Sequence, residues 1–342
     1  MALKIKIVLV SLLCLVLLYF SYVGLGSSSD KVIIQTNADE EAIAAMEKAL
    51  NTHGYKGEYI IQPQSTSELG GKIMAEGKNI EADIITQASY YLESAQKEHD
   101  MFAAMPSSIQ QQEIKQYPDY MTPILGNMGS LFVNTKALKE KGLPMPHTIK
   151  DLTKPEYKNE ISFPNIMDSS TGWLLLQGVL DQYGEKEGKH IIEPLIINAG
   201  PHLESSGSGP LKKVQSGEAT VGAGLRNQAI DAEKEGEPIK YIDPTEGNFA
   251  LTEAAAVVKK GGERQQKAQK MVAVIQKYGR KDLLKEYPVP LYKGEKVDEA
   301  MKPSHPKAWP TPLTVNLLDQ HQTIFNEAKK EADIKKEQKG GK

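Results

Sequence analysis

The sequence runs to 342 residues, of which 40% are hydrophobic and 25% charged, a balance that supports two globular domains of ordinary size and excludes a disordered or fibrous chain. A formal net charge of −3 supplies no basic field to gather nucleic acid, which removes that class of partner. The single cysteine, Cys14, excludes an internal disulfide framework.

Lys4 and Lys6 precede an apolar run from Ile7 to Val23 that ends in Gly24-Leu25-Gly26-Ser27-Ser28-Ser29, the pattern of an export signal. The same run is long enough to span a bilayer, so residues 1–29 read as a signal peptide or as a retained membrane anchor. Cys14 follows Leu12-Leu13 in mid-run, without the small residues that precede a lipid-modified cysteine, and reads as apolar filler. The remainder is expected outside the cytoplasm, in the periplasm or on the outer face of the membrane.

From Lys31 the pattern alternates strand and helix. Lys31–Gln35 predicts a buried strand, and Asp39 caps a helix carrying Ile43, Met46 and Leu50, stopped by Gly54. Glu58–Gln62 is the next strand, Ser65 to Glu68 a capping box before Leu69 and Ile73, and Asp83–Thr86 a third strand. Strands separated by helices of this length pair in parallel with right-handed crossovers, which gives an α/β fold. A second α/β unit follows Ser130–Asn134, with a helix from about Ser170 to Tyr183, another opening at Pro210, and a strand from Ala219 to Leu225. The Lys-rich segment 326–342 has little apolar spacing and reads as a disordered tail.

In open α/β sheets ligands bind beyond the carboxyl ends of the strands, at helix starts. Three loops meet that description: Thr36-Asn37-Ala38, Gln64-Ser65-Thr66 and Thr86-Gln87-Ala88-Ser89. Each alone reads as ordinary capping; three on one sheet edge suggest a binding site. In the second unit Ser169-Ser170-Thr171 opens a helix whose N–H groups suit an anion, and Ser205–Pro210 is a hydroxyl-rich segment that equally reads as a plain loop. Arg226, just past the strand ending at Leu225, reads either as a guanidinium facing the same crevice or as part of a surface ion pair. Signatures of a nucleophile elbow, a zinc helix, a phosphate-binding Walker loop and a Cys-x-x-Cys pair are missing, and the seven histidines show no i, i+3 or i+4 spacing. No enzyme, metal site or cofactor is therefore expected.

Asn127–Thr135, Leu143–Lys158, Ser169–Gly172, Val214–Gly222 and Tyr241–Val258, in that order, resemble the bacterial extracellular solute-binding proteins of the ferric-iron, sugar-phosphate and 2-aminoethylphosphonate group, over roughly residues 30–325. The resemblance implies a two-lobed type II periplasmic-binding-protein fold with hinge strands between lobes: 30–125 plus 249–282 in one, 126–248 plus 283–325 in the other. It implies a monomer that closes on a small solute and docks on an ABC permease. Iron-binding members carry a tyrosine pair where this chain has Arg226-Asn227-Gln228, which points to a small anionic organic solute, a phosphonate or a phosphate ester such as a sugar phosphate, rather than ferric iron. Ferric iron is the alternative, and an anchored enzyme on the same fold a second one. For an aminophosphonate, Glu246, Asp168 and Asp39 are the candidate partners of the amine, and Glu246 joins the expected ligand set.

Overall fold

The computed structural model describes residues 31–106 and 115–340. The expected signal or anchor, with Cys14, lies outside them. Among the described residues no helix is long and apolar enough to cross a membrane.

The first half alternates β1 (Val32–Thr36), α1 (Glu40–Leu50), β2 (Tyr59–Pro63), α2 (Thr66–Glu76), β3 (Ile84–Ala88) and α3 (Ser89–His99). A long strand follows, β4 (Thr122–Asn134), then α4 (Thr135–Lys141), β5 (Ile161–Pro164), α5 (Ser170–Ala199), β6 (Leu203–Glu204), α6 (Gly209–Gln215), β7 (Val221–Leu225), α7 (Arg226–Lys234) and β8 (Ile239–Ile242). A second long strand, β9 (Asn248–Val257), leads to α8 (Gly262–Val274), α9 (Arg280–Glu286), β10 (Pro306–Lys307) and α10 (Val315–Gly340).

The sheet order is β2-β1-β3-β9-β4-β7-β5-β6, with β8 on β4 and β10 on β9. β1 pairs in parallel with both β2 and β3, as the helix crossovers between them require, whereas β9 runs antiparallel to β3 and β4. β4 pairs with β9 from Thr122 to Met128 and with β8 from Leu131 to Asn134, so it passes from one half of the molecule into the other. Only a strand buried along most of its length can do this, and β4 is covered at nearly every position. Near the crossing, Gly126 leaves room for the segment after α9: a Cβ there would lie 2.6 Å from Cγ1 of Val289. Arg280 clamps that segment, bonding Glu295 through Nε at 2.7 Å and Nη2 at 2.8 Å, and the carbonyls of Ile124 and Val289.

Each half has its own core. Val32, Ile34, Met46, Met271 and Ile275 fill one face of the first half, and Leu69, Ile85, Leu92 and Phe102 the other. In the second half Trp173, Leu176, Ile192 and Phe325 centre a larger cluster.

The helix from Ser170 ends near Tyr183 as expected: Gly184, at φ 75° and ψ 167°, is non-helical, and a second helical stretch runs from there to Ala199. One sequence expectation is corrected. Segment 326–340 is not a disordered tail but part of α10, packed on α5. Phe325, Ala328 and Ala332 are buried at helical spacing, and Lys189 bridges Glu327 and Glu331 at 3.0 and 2.8 Å. A seam built from alanines scarcely raises the local hydrophobicity, which is why the lysines dominated the reading. His321 on the same helix is buried, accepts the Trp173 indole N–H at 2.8 Å, and is kept neutral by burial, its pKa drawn down to about 4.

If α10 belongs to the core, Phe325→Ala should cost about 3–5 kcal/mol in denaturant unfolding. Ile334→Ala, at a position 53% exposed, should change stability by less than about 0.5 kcal/mol. Equal, small effects would mean that the helix contributes little.

Candidate functional site

The carboxyl ends of β1 and β2 open onto a cavity of about 380 Å³ between the two halves of the sheet. Asn37, Gln64, Ser65 and Thr66 line one wall; Asp168 to Thr171 and Ser205 to Gly207 line the other; Asn127 on β4 and Glu253 on β9 form the floor, where the two long strands cross.

Local sequence builds each wall. Ser65 caps α2 by accepting the Glu68 N–H at 3.2 Å, the expected half of a capping box. Ser169 occupies the cap position of α5 without making a side-chain cap bond, so its hydroxyl is not committed to the helix. Gly172 in the first turn is obligatory: a Cβ would lie 2.5 Å from the Pro164 carbonyl and 2.9 Å from the Ile166 nitrogen. The two helix starts present first-turn N–H groups, which have no carbonyl one turn ahead of them, to one space.

Asn37, Ala38, Ser65, Thr66, Ser169, Ser170 and Thr171 line this cavity, as do the carboxylates Asp39 and Asp168. Thr36, Thr86 and Gln87 are fully buried behind it instead. The Thr86 hydroxyl donates to Thr36 Oγ1, which accepts the Ala38 N–H at 3.0 Å; Gln87 Nε2 donates to the Thr66 carbonyl at 3.0 Å. These residues brace the loops that carry the lining groups.

Arg226 is not in the crevice. It is 3% exposed, grips Asp243 through Nε at 2.6 Å and Nη2 at 2.9 Å, and donates to the carbonyls of Met301 and Lys302. Its guanidinium meets the chain between β8 and β9, and little donor capacity is left over. Burial alone would raise the Asp243 carboxyl, but the bonds from Arg226 and the Ser304 amide hold it below the usual carboxylate range. Glu246 is likewise buried elsewhere, accepting the Lys150 N–H at 3.1 Å and the Tyr183 hydroxyl at 3.2 Å. The sequence places Arg226 at the correct strand end, but side-chain direction at a helix start is not readable from periodicity.

Glu253 is the residue that sequence reasoning missed. It is 2% exposed, and its Oε1 accepts from Asn127 Nδ2 at 2.7 Å and Asn37 Nδ2 at 3.1 Å. Burial, reinforced by the negative charge of Asp39 and only partly offset by the two amide bonds, pushes its carboxyl up to about 8. Burial likewise raises Asp39 to about 6 despite a hydrogen bond with Ser208. The lining residues include Asp39, Glu68, Asp168 and Glu253 but no Lys, Arg or His. The available signal was a glutamate, the one ionisable residue in the largely apolar stretch Phe249 to Val257.

A larger hollow of about 770 Å³ lies on the outer side of the same junction. Its walls include Lys212, Lys234, Lys285, Glu41 and Glu235, long side chains of both signs standing in solvent, which suits a hydrated groove rather than a binding pocket.

The sequence profile for bacterial extracellular solute-binding proteins matches residues 79–312. No curated protein matches the chain in sequence. Among solved structures, the periplasmic binding protein P5PA superposes with a TM-score of 0.70 at 18% identity, covering 89% of this chain and 98% of its own. AfuA from Actinobacillus pleuropneumoniae, with fructose-6-phosphate bound, gives 0.67 at 19% identity, covering 88% and 98%. Iron-bound HitA from Pseudomonas aeruginosa gives 0.67 at 20%, covering 87% and 99%. The fold is that of the type II periplasmic binding proteins.

Two outcomes follow from the charges. Arg226→Ala, which strands Asp243 in the interior, should cost about 3–5 kcal/mol of stability while leaving cavity affinities unchanged by calorimetry. A proton held by the folded state but not the unfolded one makes stability fall as pH rises, so the Glu253 contribution is present below its unfolded pKa, near 4.5, and declines as pH rises through about 8. The Glu253 share of the slope should be about 1.4 kcal/mol per pH unit across pH 6–7.5, opposed toward pH 6 by the His321 share, and urea unfolding should read it as the difference between wild type and Glu253→Gln. An unchanged slope in Glu253→Gln would mean that the residue is ionised at neutral pH.

Proposed function

The chain belongs to the bacterial extracellular solute-binding proteins, and from that premise we propose that it is the substrate-binding component of an ABC importer, capturing a small organic solute through a phosphonate or phosphate group. The observation that carries this reading is the pair of helix starts, at Thr66 and Ser170, facing one cavity with hydroxyls on both sides. N–H groups at a helix N-terminus hold oxyanions without any side-chain cation. That matters here, because the lining contains none. 2-Aminoethylphosphonate and a phosphate ester such as a sugar phosphate are both within this class. Structural neighbours support the breadth of the class: AfuA was solved with fructose-6-phosphate bound.

In this reading residues 30–125 with 249–282 move against 126–248 with 283–325 about hinges near Gly126 and Phe249, and α10 travels with the second lobe because it packs on α5. Gln228 Nε2, 3.2 Å from both Glu41 carboxylate oxygens, and the Asp39–Ser208 hydrogen bond join the two halves at the outer hollow and belong to the closed form. Ligand contacts made to both walls at once favour closure, and the closed form docks on a permease. Export on residues 1–29, released or retained by them, completes the scheme. Binding suffices for this role, and no covalent step is part of it.

Ferric iron is the weaker reading, although HitA was solved with iron bound. Among the described residues no group of three His, Cys, Asp or Glu side chains is placed to hold a metal ion, and Arg226 stands where iron-binding relatives are expected to place tyrosine.

A thermal-shift panel tests the proposal. At ligand one hundred times Kd, a phosphonate or phosphate ester should add about 2.7 kcal/mol of stability, and neutral sugars none. Ser170→Ala should weaken the responding ligand by about threefold to thirtyfold. A panel in which only ferric iron shifts the transition would overturn the oxyanion reading.

A further inference from the structure

The floor of the cavity is chemically one-sided. Glu253 Oε2, Asn37 Oδ1, Asn127 Oδ1 and Gln64 Oε1 are all shielded from solvent, and no hydrogen-bond donor among the described residues meets any of them. All four belong to lining residues. Both asparagine amides donate through Nδ2 to Glu253 Oε1, which fixes their orientation and leaves their carbonyl oxygens as the free ends. Gln64 completes the group from just past β2, where its main-chain N–H donates to the Thr36 carbonyl at 2.9 Å. Buried acceptors without donors are costly, and with only the proton of Glu253 among them in the empty site these form the complement of a group that brings several N–H bonds at once and displaces that proton.

We propose that this floor is a subsite for a protonated amine, with Glu253 as its counter-charge and the carbonyl oxygens of Asn37, Asn127 and Gln64 accepting its remaining N–H bonds. The inference rests on the preceding reading only in taking the cavity as the solute site. Combined with oxyanion capture at the helix starts, it makes the solute a zwitterion, an aminoalkyl phosphonate or phosphate ester, and disfavours a sugar phosphate. A hydroxyl donates one bond and carries no charge, whereas an ammonium donates three and neutralises the carboxylate.

Electrostatics at the floor agree. The groups facing Glu253 are Asp39 from the β1–α1 loop, Asp168 ahead of α5, Glu68 in α2, and the buried Tyr90 and Tyr287 hydroxyls; none supplies positive charge. Burial keeps the empty site's Glu253 protonated at pH 7. An arriving ammonium favours the carboxylate, so binding releases a proton to buffer, and affinity for amines increases with pH up to about 8.

The test is calorimetry on the whole chain at pH 7 with 2-aminoethylphosphonate, ethylphosphonate, ethanolamine and agmatine, in buffers of different ionisation enthalpy. The aminophosphonate should bind about thirtyfold or more tightly than ethylphosphonate, with close to one proton released per ligand. Glu253→Gln, whose amide oxygen still accepts from both asparagines, should abolish proton release and reduce that discrimination to about threefold or less. Equal wild-type affinity for the two phosphonates, or discrimination that survives in folded Glu253→Gln, would overturn the amine subsite and leave oxyanion capture standing. Binding of ethanolamine or agmatine that depends on Glu253, with ethylphosphonate inert, would do the reverse. No binding by any of the four overturns both. Should Glu253→Gln fail to fold, the buffer-dependent proton release of the wild-type chain decides alone.

Discussion

The structure turns on a carboxylate buried where two strands cross. Glu253 lies on β9 between Ala88 of β3 and Leu125 of β4, in the stretch where the long antiparallel pair passes from one half of the sheet to the other. A carboxyl group at such a place is expensive to ionise, because it is shielded from water and no Lys, Arg or His lines the cavity beside it. Two asparagine amides hold one oxygen and leave the other unanswered. The cavity, its acidity and the kind of solute that it suits all follow from that arrangement.

Three arginine–carboxylate pairs are treated in the opposite way. Arg226 with Asp243, Arg280 with Glu295 and Arg264 with Asp83 are bidentate pairs, and Arg226 and Arg280 also take up main-chain carbonyls. Each also ties down main chain: Asp83 accepts the Ile33 N–H, Arg280 donates to the Ile124 carbonyl, and Asp243 accepts the Ser304 N–H. These pairs hold the scaffold, whereas the unpaired carboxyl of Glu253 faces the cavity. The distinction separates Arg226 from Glu253 on physical grounds although both are buried and polar.

Much of the fold was legible because periodicity and caps carry it. The three parallel strands, the capping serine at Ser65 and the helix start at Ser170 fall within a residue or two of expectation. The loops at the carboxyl ends of β1 and β2 line the cavity, since the rule that places ligands there follows from backbone geometry alone. What failed was side-chain direction and long-range partnership. Thr36, Thr86 and Gln87 sit on the correct strands but turn inward, and Arg226 meets Asp243, seventeen residues away in sequence. Glu253 could not be assigned because the asparagines that bind it lie 216 and 126 residues distant, and no local pattern links them. The alanine seam of α10 was hidden by its lysines in the same way, since its partner surface lies on α5.

The most direct measurement is the crystal structure of the chain with 2-aminoethylphosphonate. The account predicts the amine nitrogen within hydrogen-bond reach of Glu253 Oε2 and the phosphonate oxygens on the N–H groups at Thr66 and Ser170. A ligand seated in the outer hollow near Lys212 and Lys285, or one lying in the cavity with its phosphonate against Glu253, would contradict it.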